Sequence, residues 1–201
     1  MKQLVLASGN AGKLRELSVI LDDLGYHLQA QSEFNVSEVA ETGTTFVENA
    51  IIKARHAASM TGLPALADDS GIEVDALDGA PGVYSARFSG PAANDATNNA
   101  LLVEKLQAVP VAERTARYRA VIVLMRHAAD PSPLICEGSW EGVIQLEPVG
   151  NGGFGYDPYF FLPQLGCTSA ELSAAEKNRI SHRGQALAEL KRMLMGQDQH
   201  V

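Results

Sequence analysis

A chain of 201 residues, 46% hydrophobic and 20% charged, has an ordinary soluble globular composition, suited to one large domain or to two small lobes sharing a sheet. Its net charge of −8 argues against a non-specific nucleic-acid binder, which presents a basic face, yet leaves room for a small anionic ligand held by local Lys and Arg. Cys136 and Cys167 lie far apart without metal-ligand spacing, which points to a reduced cytosolic setting, and the apolar run at residues 4–7 is too short for a signal peptide or a membrane span.

Leu4, Val5, Leu6 and Ala7 read as a buried strand. Ser8, Gly9, Asn10, Ala11, Gly12 and Lys13 follow as a tight loop of small residues. Leu14, Leu17, Ile20, Leu21 and Leu24 then recur at helical spacing, and Gly25 stands where a C-terminal cap belongs. Strand, glycine loop and helix in this order offer backbone N–H groups and a positive helix end to a phosphate, although the same order also serves as a plain connection. Lys13 in the first turn opposes the helix dipole, which favours a ligand role over helix stability. The loop lacks the spacing of a Walker A motif, and Leu14 stands where that motif has a hydroxyl. Leu28 and Ala30 alternate with Gln29 and Gln31 as a half-exposed second strand. A polar loop with Glu38, Glu41, Thr42 and Gly43 precedes Thr45-x-x-Glu48, a capping box. That box opens a helix running to Gly62, with Phe46, Ala50, Ala54, Ala57 and Ala58 as its apolar stripe. Asn49 and Lys53, four apart, project from one face, either as two solvated residues or as a polar pair aimed at one ligand.

The apolar run at residues 63–67, interrupted by Pro64, stops at Asp68-Asp69-Ser70-Gly71. This pattern predicts a buried strand that ends at a sheet edge, where ligands of open α/β sheets bind. Two readings stand for the acidic pair. All four residues favour turns. Alternatively, neighbouring carboxylates share a hard divalent cation such as Mg²⁺. Ile72, Val74 and Ala76 then alternate with Glu73, Asp75 and Asp78 as a further strand with acids on its wet face, before a turn at residues 79–82 and an exposed Arg87. Asn94 or Asp95 caps a covering helix through Leu101, Leu102 and Leu106 that ends before Pro110. Residues 117–125 become continuously apolar, as a central strand does. Residues 134–136 and 140–146 read as two antiparallel strands, with His127 and Trp140 in packing or surface roles.

Gly150-Asn151-Gly152-Gly153-Phe154-Gly155-Tyr156-Asp157-Pro158 interleaves glycines with aromatics and an acid. Such a loop can stack an aromatic on a planar base and accept hydrogen bonds from its edge. Thr168-x-x-Glu171 and Ser173-x-x-Glu176 are capping boxes, the second placing Lys177 on a short helix. His182 and Arg183 open a last helix with Leu187, Leu190 and Leu194 on one face, again with cations where the dipole disfavours them. Lys13, Lys53, Lys177, His182 and Arg183 for phosphates, the acids for Mg²⁺ and the aromatic loop for a base together describe a nucleoside triphosphate site.

The motifs Ser8-Gly9-Asn10-x-x-Lys13, Thr45-Phe46-x-Glu48-Asn49-Ala50-x-x-Lys53-Ala54, Ala67-Asp68-Asp69-Ser70-Gly71 and Gly79-x-Pro81-Gly82-x-Tyr84-Ser85-Ala86-Arg87 are joined by Gly152-Gly153-Phe154-Gly155-Tyr156-Asp157-Pro158 and Glu176-Lys177-x-x-Ile180-Ser181-His182-Arg183. In order and spacing they resemble the inosine/xanthosine triphosphate pyrophosphatase family over essentially the whole chain. The resemblance implies an α/β fold with a long mixed central sheet flanked by helices, and two lobes of one domain around a nucleotide-binding cleft. It implies a cytoplasmic homodimer that binds neither nucleic acid nor membrane. The reaction implied is Mg²⁺-dependent hydrolysis of ITP, dITP or XTP to the monophosphate and pyrophosphate. Asp69 becomes catalytic base and metal ligand, and Glu41 the second metal ligand, with Glu38 the weaker candidate. Ser8, Gly9, Asn10, Ala11, Gly12 and Lys13 fall on the phosphates. Asn49, Lys53, Ser70, Phe154, Gly155, Tyr156, Asp157, Lys177, His182 and Arg183 complete the substrate site. Two other readings are a related pyrophosphatase for modified pyrimidine or methylated nucleotides, and a non-catalytic nucleotide-binding module. The acidic pair argues against the latter, because a pure binder of a polyanion gains little from carboxylates unless they hold a cation.

Overall fold

The computed structural model describes residues 1–197; the side chains of Ala11, Glu16 and Gln197 lie outside the described residues. Strands β1 (Lys2–Leu6), β2 (Tyr26–Ala30), β3 (Ala65–Val74), β4 (Thr115–Met125), β5 (Leu134–Ile144), β6 (Phe160–Leu162) and β7 (Cys167–Thr168) form one sheet in the order β2-β1-β3-β4-β5-β6-β7. The sheet is mixed: β1 runs parallel to β2 and β3, while β6 is antiparallel to β5 and β7. Helices α1 (Ala11–Asp22), α2 (Phe46–Thr61), α3 (Asp95–Leu106), α4 (Ala174–Ile180) and α5 (His182–Gln197) accompany it. The expected α/β class with a long mixed sheet is the one observed.

The chain divides into two compact units, with boundaries inside β3, β4, β5 and α5. The first comprises Met1–Asp69, Ala120–Glu137 and Gln185–Val201. Its core gathers Leu4 and Leu6 of β1, Leu66 of β3, Ile122 of β4, Leu17 and Leu21 of α1, and Leu187, Leu190 and Leu194 of α5. Each such buried leucine contributes about 1.5–3 kcal/mol, and the helical spacing of those on α1 and α5 is what turns one face inward. The second unit comprises Ser70–Arg119 and Gly138–Gly184. Ile72, Val74, Leu102, Leu106, Trp140, Ile144 and Leu162 pack there around Tyr118 and Phe160, whose ring centroids are 4.6 Å apart.

Local chemistry sets the element ends. Thr45 caps α2 with its hydroxyl accepting from the Glu48 N–H, and Gly62 ends the helix in the left-handed region. Asn94 caps α3 in the same manner. Gly25 is not the cap of α1: Asp23 holds that place in right-handed conformation, and Gly25, at positive φ, closes the turn into β2.

Two strand expectations are corrected. Asp68-Asp69-Ser70-Gly71 is neither a strand end nor a turn, because β3 continues extended through it to Val74. Each acid meets a lysine within the first unit, so its charge does not force the chain out to water. Likewise residues 134–136 and 140–144 belong to one strand. Polar residues 137–139 keep the alternation, with Glu137 and Glu141 outward and Cys136, Gly138 and Trp140 inward, so nothing there breaks the pleat. Among the described residues no helix is long and apolar enough to cross a membrane.

Candidate functional site

In the first unit, β1 delivers the chain to the start of α1. Asn10 is the N-cap: its Oδ1 accepts from the N–H groups of Gly12 at 2.8 Å and Lys13 at 3.1 Å, while its own N–H donates to Ser8 Oγ at 3.1 Å. The loop is thus pre-shaped by its own side chains, and space is open around Gly9, where a Cβ would meet nothing within 4 Å. Ala11 has its backbone in the first turn of α1, but its side chain lies outside the described residues.

The lysines meet carboxylates. Lys13 Nζ lies 2.8 Å from Asp68 Oδ1. Lys53 Nζ joins two acids, Asp69 Oδ1 at 2.8 Å and Glu41 Oε1 at 2.9 Å. Burial lowers the affinity of Lys53 for its proton, but the carboxylates of Asp69 and Glu41 outweigh that and hold it above its usual value. Burial raises the pKa of Asp69; Lys53 opposes this, and Glu41 and Asp68 add to it. Lys13 and Lys53, expected on phosphates, therefore neutralise the acids here, and Asp68 is a partner that the family mapping passes over.

The loop bearing Glu41 is tied to α2 residue by residue. The Gly43 N–H donates to Asn49 Oδ1 at 2.8 Å, the N–H groups of Thr44 and Thr45 donate to Glu48 Oε2, and His56 Nε2 lies 2.9 Å from the Ser37 carbonyl. A Cβ on Gly43 would stand 2.5 Å from Glu48 Cβ, so only glycine allows this approach. Asn49 is fully buried and anchors the loop beneath Glu41; Glu38 is exposed.

Among the described residues no group of three or more His, Cys, Asp and Glu could hold a metal unaided. A divalent ion such as Mg²⁺ nevertheless fits the donors present. It takes hard oxygens, uses one or two carboxylates, and completes its shell with water and substrate phosphates. Asp69 and Glu41 already converge on one cation, the Lys53 ammonium.

In the second unit, Asp157 is buried and fully engaged. It accepts from Ser169 Oγ at 2.8 Å and from the Phe154 N–H at 2.8 Å, and it pairs with Lys177. Gly153, at positive φ, is obligatory, since a Cβ would fall 2.0 Å from Asp157 Oδ2. Tyr156 is buried and donates its hydroxyl to the Ser85 carbonyl at 2.7 Å. Phe154 is 66% exposed, with Lys177 Nζ 5.0 Å from its ring centroid. Of the two expected stacking rings, Phe154 is exposed and Tyr156 is held in the packing. His182 is buried against Tyr118, with centroids 4.7 Å apart and planes within 10°. Arg183 is half-buried at the start of α5, and Ser70 half-buried in β3.

The sequence reading missed Tyr118, Ser169 and the paired asparagines of α3. Asn98 and Asn99 offered a signal, since two adjacent weak helix formers inside a helix invite a polar explanation. Tyr118, in an alternating strand, gave none.

A profile of the Ham1 family matches residues 4–193. The dITP/XTP pyrophosphatase of Vibrio parahaemolyticus is 60% identical over 197 residues, covering 98% of each chain. That of Xylella fastidiosa is 62% identical over 191 residues, covering 95% of this chain and 96% of its own. Among solved structures, a HAM1 protein from Coxiella burnetii superposes with a TM-score of 0.94 at 53% identity, covering 98% of this chain and 100% of that one. The Staphylococcus aureus Ham1 protein does so with 0.90 at 40%, with the same coverage. By near-complete matches in both sequence and fold, this chain belongs to the Ham1 family.

Proposed function

We propose that this chain is a nucleoside triphosphate pyrophosphatase that hydrolyses deaminated purine nucleotides (dITP, ITP and XTP) to the monophosphate and pyrophosphate, with Mg²⁺ as cofactor. The observation that carries the reading is the convergence of Asp69 and Glu41 on one cation beside Asp68, in a chain about 60% identical to dITP/XTP pyrophosphatases. A binder of a polyanion has no use for clustered carboxylates without a cation to carry them.

Asp69 and Glu41 would hold the ion, which when bound supplies neutralisation of phosphate charge and a lowered pKa for coordinated water. Asp69 takes the proton from the water that attacks phosphorus. Burial holds its pKa above the usual carboxylate range, which strengthens it as a base. Lys13 and Lys53 stabilise negative charge growing on the leaving pyrophosphate, and the backbone from Ser8 to Lys13 orients the phosphate chain. In the second unit Phe154 stacks on the base, and the loop fixed by Asp157 presents main-chain groups to its edge. Lys177, His182 and Arg183 complete the binding set. A hydrogen-bonded edge separates a 6-oxo purine from adenine, because the mismatched analogue leaves buried partners unpaired. A homodimer in the cytoplasm follows from the family resemblance, and sedimentation tests the dimer.

Pyrophosphate release is measured across dITP, ITP, XTP, GTP, dUTP and modified pyrimidine triphosphates, with and without Mg²⁺. Release confined to the deaminated purines and dependent on the ion is expected. Preference for a pyrimidine, or binding without release, overturns the proposal.

A further inference from the structure

We infer that Asp95 and Asn99, one turn apart on α3, are positioning residues that set the Gly155 peptide and through it the nucleobase selectivity of the loop at residues 154–157. The inference rests on the base-binding role proposed for that loop. Asn99 Nδ2 donates to the Gly155 carbonyl at 2.9 Å, and the Gly155 N–H donates to Asp95 Oδ2 at 2.8 Å. Both polar groups of one glycine are thus held by two side chains of a single helix turn. Gly155 sits at positive φ between Phe154, whose ring is exposed, and Tyr156, whose ring is buried. Holding the peptide groups on both sides of Gly155 therefore sets the backbone that carries Phe154 and the main-chain groups a base edge meets.

Packing alone does not account for Asn99. Leu102 and Leu106 already seat α3 in the core, and Asn98 ties the helix to the Ser85 and Ala86 carbonyls and to Ser89. Asn99 is 8% exposed, and its Oδ1 is buried with no hydrogen-bond partner among the described residues. A buried amide with one end unsatisfied is a stability cost, which an apolar residue of similar size would avoid. What the amide adds is the hold on Gly155. Asp95, in the first turn, is independently suited to the helix dipole, so its role needs the conservative test below.

Asn99→Ala, Asn99→Asp, Asp95→Ala and Asp95→Asn are assayed beside the wild type for steady-state pyrophosphate release from dITP and dGTP. Asn99→Asp keeps the shape but turns a donor into an acceptor facing a carbonyl, so it reports even if the alanine variant fails to fold. The expected result for Asn99→Ala, Asn99→Asp and Asp95→Ala is a KM for dITP raised about tenfold with kcat within about twofold, and a reduced preference for dITP over dGTP. Asp95→Asn, which retains an acceptor oxygen, restores KM to near the wild-type value. Unchanged KM in the three disruptive variants, or kcat falling at constant KM, overturns the inference. A wild type that releases no pyrophosphate from dITP refutes the functional reading instead, so the two failures are distinct.

Discussion

Lys53→Met probes the acidic cluster directly. The Lys53 ammonium touches Asp69 and Glu41 at 2.8 and 2.9 Å, with side-chain exposures of 16%, 12% and 27% in that order. Removing one partner of a fully buried ion pair costs about 3–5 kcal/mol. The partial exposure of Glu41 lets water and a shifted protonation state recover part of that, so a loss of about 2–4 kcal/mol is expected. In a chain of this size each kcal/mol moves the melting temperature by about 2–4 °C, which gives a fall of roughly 4–16 °C. Methionine preserves most of the apolar stem, so the loss reports the charge. Because Mg²⁺ can replace the ammonium between the carboxylates, millimolar Mg²⁺ should restore more stability to the variant than it adds to the wild type. Thermal unfolding with and without the ion decides. A fall under about 2 °C, or an equal response of both proteins to Mg²⁺, refutes the shared-cation reasoning.

Asp69→Asn should lower turnover by about 10²–10⁴-fold while the protein still folds, because Lys53 keeps Glu41; an unchanged rate in pyrophosphate release removes Asp69 from the chemistry. Hydrolysis in ¹⁸O-water should place label in the monophosphate, as attack at the α-phosphorus requires, and label confined to pyrophosphate contradicts that. The buried Asp130 carboxylate accepts from the Arg126 guanidinium, which holds its pKa well below the usual range, and from the N–H groups of Arg126 and Ser132. Its stabilisation is therefore present above the unfolded carboxylate value of about 4 and is lost as pH falls through the lower folded value. Asp130→Asn should cost about 1–3 kcal/mol at neutral pH in urea unfolding, and that gap should close toward about pH 2. Burial pushes the fully buried Cys136 thiol up to about 11, so a thiol reagent at neutral pH should modify the half-buried Cys167 first and reach Cys136 only on unfolding.

Much of this molecule is legible in one dimension because the determinants are local. Thr45 with Glu48, Asn94, and Ser173 with Glu176 announce three helix starts by the reach of a side chain three residues along. The periodicity of Leu17, Leu21, Leu187, Leu190 and Leu194 names the faces that build one core, and the ordered motifs imply the family. What the chain order conceals is pairing at a distance. Whether Asp68 and Asp69 turn the chain or stay inside β3 depends on Lys13 and Lys53, which are 55 and 16 residues away. Charge by itself predicts an exit to water, and only the folded arrangement supplies the counter-ions that let an extended strand carry both acids inward. The same holds for Asp157, read as a base contact and found holding its own loop, and for Tyr118, which carries no signal until the fold sets it against His182. Short-range sterics and periodicity write the elements into the sequence; electrostatic and hydrogen-bond satisfaction of buried polar groups is a non-local condition, and the tertiary structure alone decides it.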